Sequence, residues 1–247
     1  MFTLYFDDSG TDSGTEVAVA ACYVASVEQW ECFVKNWREA DAKYGFGIFH
    51  MTDFEARQEQ FLGWPDDKCN MLLDHLISII KTRARIGFAA AVHKADYDEI
   101  VHEQEFRDRL GDTHYRFAVM QCMSLIQNWR STYQHVEPMR WVFASGTNGN
   151  YEIDEVFLNL RKDPDARKAF GIDRRGCSFE GKETIPLQAP DILAWESLWH
   201  MRNSVLPSKG AAPPKRGSFR SLLQAPCETG FFHKRNLLTL LERLKRV

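Results

Sequence analysis

The 247-residue sequence predicts a single mixed α/β domain over residues 1–247, and three patterns carry this prediction. Residues 2–7 alternate between apolar and polar side chains, a turn rich in Gly, Ser and Asp follows, and residues 17–25 are apolar on both faces. These segments predict a β-hairpin inside a covered sheet. The later strands are separated by segments of helical periodicity, which is typical of a sheet with helices on both faces.

The remaining elements follow from the same periodicities. Apolar residues at helical spacing predict helices at 26–45, 66–81, 96–109, 113–133 and 151–161. Apolar segments predict further strands at 84–93, 139–145 and 174–182. Another helix is expected from Pro190 onward, because proline is tolerated in the first helical turn, where its missing N–H would have no partner.

The segment 202–227 differs from the rest of the chain. It contains five basic residues, four prolines and no acidic residue, so we expect a long irregular loop. Such a loop is either a solvated linker or a surface that binds phosphates through Lys209, Lys215, Arg216 and Arg220, with Phe219 stacking on a base. An amphipathic helix with a basic outer face is expected at 233–246.

Composition excludes several classes of protein. The six cysteines are widely spaced and form no C-x-x-C pair, which argues against a zinc cluster or a disulfide scaffold and favours free thiols in the cytoplasm. No signal peptide is evident, and the longest apolar run has nine residues, whereas a membrane span needs about 20. The net charge of −3 does not itself indicate a nucleic-acid partner. Whether the chain forms a homo-oligomer stays open.

The first sixteen residues carry Asp7, Asp8, Asp12 and Glu16 but no Lys or Arg. Asp, Ser and Gly at this density are typical of a turn. They are also typical of half a metal site, since metal-assisted phosphodiester chemistry needs carboxylates from distant positions to converge on one point. Asp191, at the start of the late helix, is the natural second half. Its alternative role is to stabilise the helix N-terminus through the helix dipole.

Three motifs in order, "YFDDSG" at 5–10, "FHMTDF" at 49–54 and "LQAPDILA" at 187–194, resemble the family called domain of unknown function 3800. The resemblance covers roughly residues 3–200. It implies a ribonuclease H-like fold and a metal-dependent nuclease. In the matching positions Asp7 is the leading aspartate and Asp8 the acidic residue after it, with Ser9 in the turn. His50 matches the family's histidine, and Gln188 precedes the late aspartate, Asp191.

One departure from the ribonuclease H-like pattern concerns the strand "WVFAS" and the residues after it, which offer Ala144, Ser145 and Asn148 but no carboxylate. Glu152 and Asp154 follow within two turns and are the available substitutes. If β-structure continues through both N-terminal aspartates, they point to opposite faces, and Asp7 is the one that we expect to face the site.

The sequence therefore predicts that Asp7 and Asp191 bind Mg²⁺ or Mn²⁺ and that Asp8 or Asp154 completes the ligand shell. His50 is expected to position or deprotonate water, and nucleic acid, either DNA or RNA, is the expected substrate. The alternative is a catalytically degenerate ribonuclease H-like protein that binds nucleic acid or has a regulatory role. A third reading is a phosphohydrolase acting on free nucleotides. The sequence has no P-loop or G-x-G-x-x-G motif that would support an enzyme driven by nucleoside triphosphate hydrolysis or one that uses a dinucleotide cofactor.

Overall fold

The structure is a computed structural model that describes residues 1–146, 149–206 and 214–245. These residues form a six-stranded mixed sheet flanked by helices, which confirms the predicted α/β class. The strands are β1 (Phe2–Ser9), β2 (Val17–Ser26), β3 (Ile86–His93), β4 (Met139–Ala144), β5 (Ile172–Glu180) and β6 (Cys227–Phe232). Their order across the sheet is β5-β4-β1-β2-β3-β6.

The strand directions bring the C-terminal ends of most strands to one side of the sheet. β2 is antiparallel to both of its neighbours, β1 and β3, whereas β4, β5 and β6 are each parallel to the strand beside them. The C-terminal ends of β1, β3, β4, β5 and β6 therefore lie along the same side, here called the C-terminal edge. In open α/β sheets, ligands bind in crevices outside this edge.

Two layers of helices cover the sheet. The helices are α1 (Val27–Tyr44), α2 (Met51–Ala56), α3 (Asp66–Arg83), α4 (Lys94–Ile100), α5 (Gln104–Leu110), α6 (His114–Thr132), α7 (Asn150–Leu160), α8 (Pro164–Phe170), α9 (Gln188–His200), α10 (Gly217–Leu222) and α11 (Lys234–Leu244). One face packs against α1, α3 and α9, and the other packs against α6 and α7. A third apolar cluster joins α4, α5 and α11 to α6.

Alternation along β1 assigns its side chains to the two layers. Leu4 and Phe6 are fully buried beneath α6, while Tyr5 faces α1 and α9. Pairing with β2 continues through Asp7 and Asp8, opposite Ala21 and Ala20, so the strand does carry both aspartates. Because successive side chains in a strand point to opposite faces, Asp7 lies on the α9 side and Asp8 on the α6 side, as predicted.

Helix α9 is buried on nearly all sides between the sheet, α2 and α10. It begins at Gln188, two residues earlier than expected, and Pro190 lies within its first turn, where no intrahelical N–H bond is lost. A helix surrounded by protein is usually apolar all round. The buried polar residues of α9 are therefore exceptions that need partners, and they include Gln188, Asp191 and Glu196.

The structure corrects the expected loop at 202–227. A π-helical turn spans Met201–Val205, α10 follows, and β6 begins at Cys227; residues 207–213 lie outside the described ranges. The strand was missed because "CETGFF" is a half-buried edge strand with few apolar residues. The predicted helix at 96–109 is two helices, α4 and α5, and α8 was not predicted. The C-terminal helix is present as α11. Within the described ranges, no helix combines the length and apolarity that a membrane crossing requires.

Candidate functional site

Two aspartates from distant parts of the chain meet at the C-terminal edge. Asp7 lies near the end of β1 and Asp191 lies in the first turn of α9, and they are 3% and 5% exposed. The Nζ of Lys182 lies between them, 3.4 Å from Oδ2 of Asp7 and 3.0 Å from Oδ1 of Asp191. Two buried carboxylates thus share one ammonium group.

Asp7 is only partly satisfied by its surroundings. Its Oδ1 accepts a hydrogen bond of 2.9 Å from the backbone N–H of Asp8, but its buried Oδ2 has no hydrogen-bond partner among the described residues. Burial raises the pKa of Asp7 well above its usual range, and the negative charge of Asp191 raises it further, while Lys182 opposes both. The surroundings therefore disfavour the charged form of Asp7, and a further cation beside it would favour that form.

Asp191 ties the "FHMTDF" motif to α9. Its Oδ2 accepts a hydrogen bond of 2.6 Å from the backbone N–H of Met51, at the start of α2. Its Oδ1 accepts from Lys182 and lies 3.7 Å from Nε2 of His50. Asp191 therefore has a structural role and also belongs to the charged cluster. A favourable interaction with the helix dipole alone would explain neither contact.

Gln188 fixes the segments around the two aspartates. Its Oε1 accepts hydrogen bonds from Trp37 Nε1 at 2.8 Å and from the N–H of Phe49 at 3.0 Å. Its Nε2 donates to the carbonyl oxygen of Lys182 at 2.9 Å. One buried amide thus joins α1, the segment before α2 and the loop that carries Lys182.

His50 lies at the rim of the site, at the N-terminal boundary of α2. Its Nδ1 is 3.2 Å from Oδ2 of Asp53, so that Nε2 points toward Asp191. About a third of the side chain of His50 is exposed, so solvent reaches the ring. No sequence pattern indicated that Asp53 pairs with His50, although the spacing of three residues at a helix start permits it.

The residues after β1 form the turn that their Asp, Ser and Gly content predicted, and the metal-site interpretation stays a prediction. Asp8 accepts a hydrogen bond of 2.6 Å from Thr11 Oγ1, and Ser9 is half-buried at the last position of β1. Gly10 has a φ of +68°, and a Cβ there would lie 2.3 Å from the carbonyl oxygen of Val17. This position therefore requires glycine. Asp8 faces away from Asp7, so it is not placed to complete a ligand shell with Asp191.

Asp154 does not join the pair of buried aspartates, contrary to the expectation from sequence. It is exposed on α7, and its charge acts on Cys177 and Tyr151. Glu152 accepts a hydrogen bond from Thr113 Oγ1 at the start of α6. Neither carboxylate replaces the one that the β4 segment lacks, and Asn148 lies outside the described residues.

Arg216 of the segment 202–227 is used inside the protein, which corrects part of the predicted interface. Arg216 pairs with Glu55 and, at 3.2 Å, with Glu196, and it lies over the ring of Trp195. Phe219 is 1% exposed and cannot stack on a base. Two of the predicted contacts, Lys215 and Arg220, are exposed, and Lys209 lies outside the described residues.

The buried carboxylate of Glu196 is expected to make the stability of the protein depend on pH. Burial raises its pKa, although Arg216 and Ser218 oppose the shift, and its Oε2 has no partner among the described residues. Because the pKa of Glu196 is higher in the native state than in the unfolded chain, protonation of Glu196 stabilises the native state. This stabilisation is fully present below about pH 4.3, the pKa in the unfolded chain, and is lost as pH rises through the native pKa.

We therefore expect Glu196→Gln to gain stability relative to the wild type as pH increases from about 4 to about 7. Urea unfolding of both proteins across this range measures the difference. A difference in unfolding free energy that stays constant with pH would contradict the prediction.

Lys182 is the functional residue that sequence reasoning missed. It lies in "FEGKETIPLQAPD", only nine positions before Asp191, but a lone lysine after a strand carries no pattern that distinguishes it from a solvated surface residue. Burial lowers its pKa, and the carboxylates of Asp191 and Asp7 outweigh this effect, so the pKa is raised overall. Lys182 is therefore firmly charged.

The donor set fits one hard cation better than two. Within residues 1–146, 149–206 and 214–245, no group of three or more His, Cys, Asp or Glu side chains is placed to hold a metal ion. Mg²⁺ and Mn²⁺ accept one or two carboxylates together with water and substrate phosphate oxygens. Asp7 and Asp191 meet that requirement, and because Oδ2 of Asp7 lies 3.4 Å from the ammonium group of Lys182, a bound cation would have to share or displace that contact.

No protein-family model and no curated protein matches the chain, so the geometry of the site is the main guide to its function. The three motifs that carry the family resemblance contribute Asp7, His50, Gln188 and Asp191 to one cluster. Residues that are far apart in sequence thus meet at a site on the C-terminal edge of the sheet.

Proposed function

We propose that the protein is a metal-dependent nuclease that hydrolyses phosphodiester bonds of nucleic acid on a ribonuclease H-like scaffold. The observation that carries the proposal is the pair of buried carboxylates, Asp7 and Asp191, facing the same point at the C-terminal edge with one ammonium group between them. The cluster has two acids and one base at its centre, with His50 at its rim 3.7 Å from Asp191.

Asp7 and Asp191 would hold a Mg²⁺ or Mn²⁺ ion. When bound, the ion supplies positive charge that polarises the phosphodiester. The chain's own groups do the rest. Lys182 carries a fixed charge next to both aspartates and is suited to bind a phosphate oxygen. His50, oriented by Asp53, has a partly exposed ring whose Nε2 lies 3.7 Å from Oδ1 of Asp191, where it can orient or deprotonate a water molecule.

Cleavage by the wild-type protein tests the proposal. Purified protein is incubated with single-stranded, duplex and hybrid oligonucleotides and with free nucleotides, in Mn²⁺, in Mg²⁺ and in EDTA. We expect cleavage of at least one polynucleotide with metal and none in EDTA. Hydrolysis of free nucleotides alone would favour the phosphohydrolase, and cleavage that persists in EDTA would overturn a metal-dependent mechanism.

A non-catalytic nucleic-acid-binding protein is the second candidate, and Lys182 is the observation that favours it. Its ammonium group lies where a cation between the two aspartates would be expected. Calorimetric titration with Mn²⁺ separates the two proposals. A measurable Mn²⁺ site favours the nuclease, whereas nucleic-acid binding without any Mn²⁺ site favours the binding protein.

A further inference from the structure

We propose that a basic groove along α11 is a second contact for nucleic acid and binds its phosphate backbone. This inference rests on the proposed function in one respect, namely that nucleic acid is the partner. The groove encloses about 470 Å³ and is lined mainly by polar side chains of α11 and the residue before it. Those used here are His233, Arg235, Asn236, Thr239 and Arg243, and none of the lining residues is acidic.

The two arginines of the groove are not engaged elsewhere. Both are exposed, and neither forms an ion pair with any residue in the described part of the chain. The contrast with nearby basic residues is clear, since Lys234 pairs with Glu99, and Arg202 pairs with Glu16 at 3.3 Å. Exposed positive charge is thus available on α11 in addition to Lys215 and Arg220 of the segment 202–227.

The spacing of the basic groups suits a phosphate chain. Arg235, Thr239 and Arg243 recur every four residues and therefore lie on one side of α11. At a rise of about 1.5 Å per residue, the two arginines are about 12 Å apart along the helix axis. A duplex carries one phosphate per strand for about every 3.4 Å of its helix axis, so that length spans more than one phosphate. Glu242 is the one acidic residue of α11, and it does not line the groove.

The groove and the candidate active site lie toward the same edge of the sheet. His233 directly follows β6, whose C-terminal end lies on the same side as that of β1, which carries Asp7. Three strand spacings separate β1 from β6, or about 14 Å. Because α11 packs with the α6 layer and Asp7 faces the α9 layer, a nucleic-acid strand that contacts both must pass over the C-terminal edge.

Binding without cleavage tests the groove. Fluorescence anisotropy with a labelled single-stranded oligonucleotide is measured in EDTA at several salt concentrations, for the wild type and for the double variant Arg235→Gln/Arg243→Gln. We expect the double variant to bind about 10-fold more weakly. The slope of log K against log salt should fall in magnitude by about 1.4, since each lost phosphate contact removes about 0.7.

Two matched variants serve as controls. Arg175→Gln makes the same substitution once, removing one charge instead of two, at an exposed position on β5 at the far border of the sheet, and should leave affinity and slope unchanged. Glu242→Gln removes the only acid of α11 and should tighten binding. The proposal is overturned if the double variant binds like Arg175→Gln, or if the wild type shows no binding in EDTA. Wild-type protein that binds through the groove but cuts nothing would overturn the nuclease while leaving the groove intact.

Discussion

The Asp7→Asn variant is expected to lose metal-dependent cleavage by at least about 100-fold while unfolding at a higher temperature than the wild type. Loss of outer-shell partners alone typically costs about 10- to 100-fold, so the loss of a charged ligand should cost more. Asparagine keeps the shape of the side chain and can still accept the N–H of Asp8.

The gain in stability follows from the charges around Asp7. The raised pKa of Asp7 means that its ionised form is disfavoured in the folded protein. Asparagine removes that unfavourable charge and leaves Lys182 paired one-to-one with Asp191. A gain of about 1 kcal/mol would raise Tm by about 2–4 °C in a chain of this size. Cleavage rates in Mn²⁺ and thermal unfolding in EDTA measure the two effects.

Asp154→Asn is the matched control, because it makes the same chemical change at an exposed position. It should keep both the cleavage rate and Tm of the wild type. Asp191→Asn should lose cleavage but also lose stability, since Asp191 accepts hydrogen bonds from Met51 and Lys182. An Asp7→Asn variant that cleaves at the wild-type rate would show that the catalytic site lies elsewhere.

The Lys182→Met variant is expected to lose about 3 kcal/mol of unfolding free energy in EDTA, because removing one partner leaves buried charge uncompensated. Methionine retains much of the length and apolar volume of the lysine stem but has no charge. Asp7 and Asp191 would then face each other without a cation. Mn²⁺ should restore much of the lost stability by taking the place of the ammonium group. Urea unfolding with and without Mn²⁺ measures both effects.

Lys162→Met provides the control, since Lys162 is exposed and contacts only the side chain of Asn159. Its stability should match that of the wild type and should not gain more from Mn²⁺ than the wild type does. If Lys182→Met is as stable as the wild type and indifferent to Mn²⁺, the cluster is not a cation site. If the wild type binds no Mn²⁺ and Lys182→Met does, the ammonium group excludes the metal and the non-catalytic protein is favoured.

Local patterns predicted much of the fold, because alternation and helical spacing report which face of each element is buried. The chemistry of the residues paired Asp7 with Asp191, and the family resemblance added His50 and Gln188, although only folding shows that they meet. Lys182 was missed because its role depends on two partners that are distant in sequence or across a turn. The pairing of Arg216 with Glu55 and Glu196 was missed for the same reason. β6 was missed because an edge strand needs little apolar sequence.

The amide of Gln188 has one further consequence. Because it holds Trp37, Phe49 and the backbone of Lys182 at once, the histidine-bearing and lysine-bearing segments cannot shift independently of the helix that carries Asp191. The distances between the reactive groups are thus established during folding and do not wait for the arrival of a ligand. A preorganised arrangement of this kind selects its target by rigid fit, and it spends little of the binding energy on rearrangement.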